Sequence, residues 1–191
     1  MRDLALQTPT ISVSVGRVVS GTNGIGLVLL RGNSASGKSS VAAGIRERFG
    51  RGLALVGQDN LRRVVLREHD RPGGANIGLI DTVARYSIDA GYHVVLEGIW
   101  YADHYGQMLQ QLRADHRGHT HCCNLHVPFP ETLARHATKP IAGEVGESQL
   151  REWYSPLDLL RASTETVIDA DSTLMDTVDR VMHDTDPERE H

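Results

Sequence analysis

The stretch Gly32-Asn33-Ser34-Ala35-Ser36-Gly37-Lys38-Ser39 fits the pattern G-x-x-x-x-G-K-[ST], whose two glycines let the backbone curl so that its N–H groups face an anion. The apolar run 26–30 precedes it and predicts a buried parallel strand, and Val41, Ile45 and Phe49 follow it at helical spacing. The helix that begins near Lys38 directs the positive end of its dipole at the same anion. Strand, loop and helix in this order predict a loop that binds the phosphates of a nucleotide.

The residues of this loop have expected contacts with a nucleotide. The ammonium group of Lys38 is expected to bridge the outer phosphates, and the hydroxyl of Ser39 to ligate the Mg²⁺ ion that accompanies ATP. The nucleotide contacts predicted here are Gly32, Asn33, Ser34, Ala35, Ser36, Gly37, Lys38, Ser39 and Ser40. The alternative is a turn rich in serine and glycine that matches by chance, which the flanking strand and helix disfavour.

Composition indicates one domain. The 191 residues are 40% hydrophobic, which is enough for one core, and the formal net charge of −4 gives no overall attraction to nucleic acid or to an acidic membrane surface. The two cysteines, Cys122 and Cys123, are adjacent and would point to opposite faces of a strand, a pattern typical of reduced cytosolic proteins. No apolar run reaches the roughly 20 residues that span a bilayer, and residues 1–3 lack the order of a secretion signal. We therefore expect a cytoplasmic protein with no membrane partner.

Apolar runs and helical periodicities alternate along the chain. Strands are predicted at 26–30, 53–56, 92–96, 121–127 and 164–169, and helices at 41–49, after Asn60, and at 77–90, 102–116, 131–138 and 174–182. This alternation predicts an α/β fold with a five-stranded parallel sheet and helices on both faces. We expect the domain to span 25–184, between an N-terminal extension at 1–24, to which we assign no role, and a charged tail at 185–191.

Two acidic residues follow predicted strands. Asp59 comes just after strand 53–56, and Glu97 closes strand 92–96. Ligands of open parallel sheets bind at the carboxyl ends of the strands, so both acids should share an edge with the phosphate loop. Asp59 would also suit the N-cap of the helix after Asn60, and one residue could serve in both ways.

The chain resembles the P-loop kinases of small molecules: the nucleoside and nucleotide kinases, gluconate kinase, the chloramphenicol phosphotransferase group and the zeta-toxin-like kinases. The resemblance covers 26–183 in element order, and only the phosphate loop is specific as a motif. The chain lacks the Asn-Lys-x-Asp base reader of guanine-nucleotide switches and is too short for a ring-forming ATPase. The resemblance implies an ATP- and Mg²⁺-dependent kinase that phosphorylates a hydroxyl of a nucleoside, a sugar derivative or an antibiotic, with a small lid at about 136–150.

The same resemblance implies roles outside the loop. Asp59 stands where such kinases carry an aspartate that faces the acceptor hydroxyl, which suits a general base. Glu97 stands where they carry an acidic residue, ordinarily Asp, that holds a magnesium-bound water or a substrate group. Arg135 and Lys139 lie at i and i+4 at the expected lid and would contact the phosphates, unless they form a solvated basic face. The expected catalytic residues are thus Lys38, Asp59 and Arg135.

Acceptor contacts are expected from Asp59, Arg62, Glu97, Trp100 and Tyr154. Arg62 belongs to a basic cluster after Asp59 that would hold an anionic acceptor or form a solvated face. Tyr154 would line the acceptor pocket, although an aromatic residue at this spacing is more often part of a core. The ten histidines show no i, i+4 pair with a companion acid, so we assign no metal to them.

Two other functions stay open at this point. A kinase of nucleic-acid 5′-hydroxyl groups is disfavoured by the net charge and by the lack of a long basic stripe with interleaved aromatic residues. A regulatory module that holds ATP without transferring its phosphate would make Asp59 dispensable.

Overall fold

Five parallel strands form one sheet in the computed structural model of the chain, which describes residues 20–24, 26–138, 143, 145–160 and 164–185. The strands are β1 (Leu27–Gly32), β2 (Leu53–Gly57), β3 (His93–Glu97), β4 (Thr120–His126) and β5 (Thr166–Asp169). Their order across the sheet is β2-β3-β1-β4-β5, and each neighbouring pair is parallel. The predicted five-stranded parallel sheet is therefore confirmed.

Helices connect the strands. They are α1 (Lys38–Phe49), a short π-helix (Asn60–Val65), α2 (Ala75–Asp89), α3 (Ala102–Asp115), α4 (Phe129–Ala137), α5 (Glu147–Trp153) and α6 (Leu174–Asp184). The start of α4 differs from the prediction, because the helix begins at Phe129 rather than Glu131 and has Pro130 in its first turn. Proline is tolerated there because the first N–H groups of a helix have no acceptor within the helix.

Each face of the sheet carries an apolar core. Leu27 and Leu29 of β1 pack with residues of α2 and α3 on one face, and Val28 and Leu30 pack with residues of α1 and α6 on the other. All four side chains are buried, as expected of a central parallel strand that is covered on both faces. The helices on both faces hold β1 in the middle of the molecule, and β1 leads directly into the phosphate loop.

Cys122 and Cys123 of β4 lie in different cores, because successive side chains of a strand point to opposite faces. Both are free thiols. Burial raises the pKa of Cys122 to about 11 and raises that of Cys123 as well. The two thiols are therefore protonated near neutral pH.

The carboxyl ends of the strands gather the predicted site residues at one edge. β1 ends at the phosphate loop, β2 ends just before Asp59, and Glu97 at the end of β3 pairs in register with Leu30 of β1. Among the described residues, no helix is long and apolar enough to cross a membrane.

Candidate active site

The loop between β1 and α1 has a backbone that requires its two glycines. Gly32 has φ +146°, and a Cβ atom there would lie 2.6 Å from the carbonyl oxygen of Leu125. Gly37 precedes α1 with φ +99°, in the left-handed region that favours glycine. Within the described residues no side chain caps α1, so an anion at this position would meet its first backbone N–H groups.

Lys38 is folded into the loop. Its Nζ donates to the carbonyl oxygen of Asn33 at 2.7 Å and to Oγ of Ser36 at 3.3 Å. The side chain is buried, and its ammonium group therefore lies within the turn where the phosphates are expected.

Ser39 and Glu97 meet beside the loop. The hydroxyl of Ser39, in the first turn of α1, donates to Oε2 of Glu97 at 3.3 Å. A hydroxyl and a carboxylate are hard oxygen donors of the kind that Mg²⁺ prefers, so these two residues fit the expected ion.

A cavity of about 380 Å³, here called the Arg135 cavity, lies on the β4 and β5 side of the loop. The loop residues that line it are Ser36, Gly37 and Ser40. Arg135 lines it from α4, where its Nε donates to Glu131 at 2.8 Å and its Nη2 to the carbonyl oxygen of Ala170 at 3.2 Å. Lys139 and most of 139–144 in the expected lid lie outside the described residues.

A larger cavity of about 940 Å³, here called the Tyr101 cavity, lies on the β2 and β3 side. Residues after β2, around the start of α3 and at the end of α5 line it. A narrow cavity beside Gly32 and Asn33 shares four of these lining residues, namely Ile99, Tyr101, Ser155 and Asp158. The phosphate loop therefore stands between the Arg135 cavity and the Tyr101 cavity.

Asp59 does not cap the helix that follows it. Its own backbone is already helical, with φ −63° and ψ −35°, and its side chain makes no capping hydrogen bond. Instead, Oδ1 accepts from Nη2 of Arg62 at 3.0 Å and lies 3.1 Å from Nε of Arg63. Both arginines line the Tyr101 cavity. Asp59 does not line it, and the Asp59 side chain is 64% exposed. The capping interpretation is therefore wrong, and Arg62 is a buried partner of Asp59 rather than part of a solvated face.

Tyr154 and Trp100 lie in different environments. Tyr154 lines the Tyr101 cavity, and its hydroxyl donates to the carbonyl oxygen of Val127 at 3.1 Å. Trp100 is fully buried in the core, where it packs edge-on against Tyr105 with ring centroids 5.2 Å apart. This corrects the expectation that the Trp100 ring contacts the acceptor. The positive φ of +52° at Trp100 is a turn that the sequence pattern does not reveal.

The side chain of Asn33 ties the phosphate loop to the wall of the Tyr101 cavity. Its Nδ2 donates to the carbonyl oxygen of Ser155 at 2.8 Å, and its Oδ1 accepts from the N–H of Ser155 at 2.9 Å. Asn33 was expected to contact the nucleotide, but its side-chain amide is engaged by Ser155. Its backbone carbonyl accepts from Lys38.

Arg31 makes a second link next to the loop. Its Nη1 donates to both carboxylate oxygens of Glu165 at 2.8 Å, and its Nη2 donates to the carbonyl oxygen of Trp100 at 2.7 Å. The side chains of Arg31 and Glu165 are each 1% exposed. Asp158 lies 3.4 Å from the same guanidinium and accepts from the N–H of Ala102 at 2.8 Å. Arg31 and Glu165 are 134 positions apart, so no local pattern predicted this cluster.

Carboxylates on the walls of the Tyr101 cavity make its electrostatic potential more negative. Asp70 accepts from Nε2 of Gln58 at 3.2 Å and from the hydroxyl of Tyr105 at 2.9 Å. Burial, followed by the charges of Asp70 and Asp158, raises the pKa of Tyr101 to about 12. The Tyr101 hydroxyl is thus a neutral donor, and it donates to the carbonyl oxygen of Trp153 at 2.6 Å.

Comparison with known proteins finds similarity in structure only. No family model matches the sequence, and no curated protein is significantly similar to it. The APS kinase CysC of Mycobacterium tuberculosis, in complex with AMPPNP and APS, superposes with a TM-score of 0.63 at 19% identity, over 86% of this chain and 97% of that one. A gluconokinase from Sinorhizobium meliloti gives 0.62 at 18% identity, over 85% and 93% of the two chains.

A sugar kinase from a Janibacter species has a TM-score of 0.60 at 17% identity, and the match covers 86% of this chain and 96% of that one. At such identities the likeness concerns the fold. The chain therefore has the fold of the P-loop small-molecule kinases, as the resemblance of its sequence implied.

Proposed function

We propose that the protein is an ATP-dependent kinase that transfers the γ-phosphate of ATP to a hydroxyl group of a small molecule. The observation that carries this proposal is the position of the phosphate loop between the Arg135 cavity and the Tyr101 cavity. A nucleotide in the first and an acceptor in the second would bring the γ-phosphate and the hydroxyl together at the loop, which is the main requirement of phosphoryl transfer.

The Tyr101 cavity has room for an acceptor. A volume of about 940 Å³ suits a small organic acceptor. The shared fold of kinases that act on small molecules supports the same assignment.

The proposed step is a displacement at the γ-phosphorus. The acceptor oxygen bonds to this phosphorus as its bond to the β–γ bridging oxygen breaks, ADP leaves, and the hydroxyl proton passes to a carboxylate, which we assign to Asp59. Lys38 and Arg135 would neutralise charge on the phosphates, from within the loop and from α4. Arg62 and Arg63 would hold the Asp59 carboxylate in place.

Ser39 and Glu97 would hold a magnesium ion. The bound ion would offset negative charge on the phosphates of ATP. Glu97 would then bind the ion together with Ser39. We therefore assign the contact with the acceptor to Tyr154 rather than to Glu97.

The proposal is tested by incubating the purified protein with γ-labelled ATP and Mg²⁺ over a panel of nucleosides, sugars, aminocyclitols and amphenicols. Transfer of label to one class of compound is expected, and Lys38→Ala should abolish it because the loop loses the cation that meets the outer phosphates. Tight ATP binding without transfer to any compound would contradict the kinase assignment and favour a regulatory ATP-binding module. Near-normal turnover by Lys38→Ala would contradict the role of the loop.

A further inference from the structure

We infer that the Tyr101 cavity selects an uncharged or cationic acceptor that is rich in hydroxyl groups, and that it discriminates against acceptors that carry a carboxylate or phosphate. The inference rests on the proposed function, because it specifies the acceptor for the cavity that function assigns. It follows from which charges line the cavity and from which of them are already paired.

The arginines of the cavity are partly neutralised by a carboxylate of the protein. Arg62 and Arg63 share the carboxylate of Asp59, and Nη1 of Arg62 also donates to the carbonyl oxygen of Glu68 at 3.3 Å. Arg67, which is exposed, is the remaining arginine of the lining. The single carboxylate of Asp59 thus offsets one of the two charges of Arg62 and Arg63, so the preference for acceptor charge depends on the carboxylates that line the same cavity.

Acidic side chains outnumber the arginines along the same walls, with five against three. The carboxylates of the lining are Glu68, Asp70, Asp103, Glu152 and Asp158. Asp103 and Glu152 are exposed residues of the wall, on α3 and α5. Asp158 lies beside Arg31 and Glu68 beside Arg71. The repulsion of an acceptor with its own negative charge is therefore expected mainly from the exposed carboxylates of Asp103 and Glu152, in addition to the charge that ATP brings to the loop.

The polar groups that remain suit hydroxyls. The guanidinium of Arg67, which is exposed in the lining, is a donor. The carboxylates of Asp103 and Glu152 are acceptors. A hydroxyl can both donate and accept, so a polyhydroxylated compound could use both kinds of group. Tyr101, Trp153 and Tyr154 are partly buried in the lining and add apolar ring surface for a cyclic compound.

The test compares acceptors that share one skeleton and differ in charge. We would measure kcat/KM of the protein with ATP and Mg²⁺ for glucose, glucosamine and glucuronate, and for uridine and orotidine. In each set that accepts phosphate, the uncharged or cationic member is expected to exceed the anionic member by about tenfold or more.

A double variant reports on the origin of the preference. Asp103→Asn with Glu152→Gln removes two exposed carboxylates from the wall and should reduce the discrimination against the anionic member several-fold. Glu47→Gln, in an exposed position of α1 that does not line the cavity, is the control and should leave the preference unchanged.

The outcomes separate the two proposals. Equal or faster transfer to the anionic members, or a double variant with unchanged discrimination, would overturn the inference and leave the kinase assignment standing. Failure of all compounds, charged and uncharged, to accept phosphate from bound ATP would overturn the kinase assignment and the inference with it.

Discussion

The proposed transfer of the hydroxyl proton depends on the carboxylate of Asp59, which follows β2. The sequence allowed both a helix cap and a catalytic carboxylate, and the structure removes the cap. Its exposed carboxylate is held by two arginines that line the Tyr101 cavity.

Asp59→Asn removes the proposed base while keeping the shape of the side chain. We expect phosphotransfer to fall on the order of 10²–10⁴-fold because no carboxylate accepts the hydroxyl proton. Stability should change by less than about 1 kcal/mol, since the lost ion pairs involve an exposed carboxylate. Initial rates and a melting curve on one preparation check both points. Asp179→Asn, which breaks the exposed Asp179–Arg48 pair, is the matched control. A stable Asp59→Asn protein with a near-native rate would remove Asp59 from the chemistry.

Arg135→Ala tests whether the guanidinium acts during transfer or only on ATP in the ground state. We expect kcat to fall more than ATP affinity, because the charge that Arg135 would meet grows in the transition state. Arg151→Ala is the matched control, since Arg151 also pairs with a glutamate four residues earlier at 2.8 Å but does not line the Arg135 cavity. A raised KM for ATP with unchanged kcat would limit Arg135 to ground-state binding.

At the scale of helices and strands, the sequence predicted what depends on local pattern. The strands and α1, α2, α3 and α6 follow from apolar periodicity, and the loop follows from its glycines and lysine. The hydrogen bonds between distant elements could not be predicted from the sequence. Asn33 and Ser155 are 122 positions apart, and the residues around each of them show no pattern that indicates the contact. The turn at Trp100 was missed for a related reason, since a non-glycine residue with positive φ carries no composition signal.

The hydrogen bonds between Asn33 of the phosphate loop and Ser155, after α5, should contribute to binding of the acceptor. Asn33→Ala leaves the N–H and C=O of Ser155 without their side-chain partner, and two neutral hydrogen bonds are worth about 1–3 kcal/mol. We expect the KM for the acceptor to rise about tenfold, with a smaller change for ATP. An equal loss for both substrates would make Asn33 a general support of the loop.

The start of α2 has a side-chain cap that titrates. Glu68 accepts from the N–H groups of Ala75 at 3.0 Å and Asn76 at 2.8 Å. The bond from the Asn76 N–H, and then that from its side chain, lower the pKa of Glu68 below 4.5. The stabilisation is therefore present above pH 4.5 and is lost as the pH falls through the lowered pKa.

Glu68→Gln should thus be less stable than the parent at neutral pH, and the difference should shrink as the pH falls below 4.5. Denaturant unfolding over this pH range measures it, with Glu47→Gln as the control for the loss of one exposed charge. A difference that does not change with pH would show that the charge of Glu68 is not what stabilises α2.

Across the whole molecule, the pair of Arg31 and Glu165 joins the central strand to the segment before β5. Arg31→Met would leave the buried carboxylate of Glu165 without its cation, which costs about 3–5 kcal/mol, and Glu165→Met should cost less because Arg31 keeps its 3.4 Å contact with Asp158. The double variant should recover much of this loss, because two apolar side chains need no compensating charge. Chemical denaturation of the three variants checks the cycle. Additive losses in the double variant would show that the two residues act independently.

Cys122 and Cys123 give the protein two built-in reporters, one for each layer that covers the sheet. A thiol reagent reaches either sulfur only when the helices that cover it open locally. The rate of labelling at each cysteine therefore measures how often that local opening occurs. Cys122 shares its core with α3, which carries part of the wall of the Tyr101 cavity, and Cys123 shares its core with α1, which begins at the phosphate loop. Occupancy of the two ligand sites could thus be followed separately without any substitution. Bound nucleotide is expected to slow the labelling of Cys123, and bound acceptor that of Cys122.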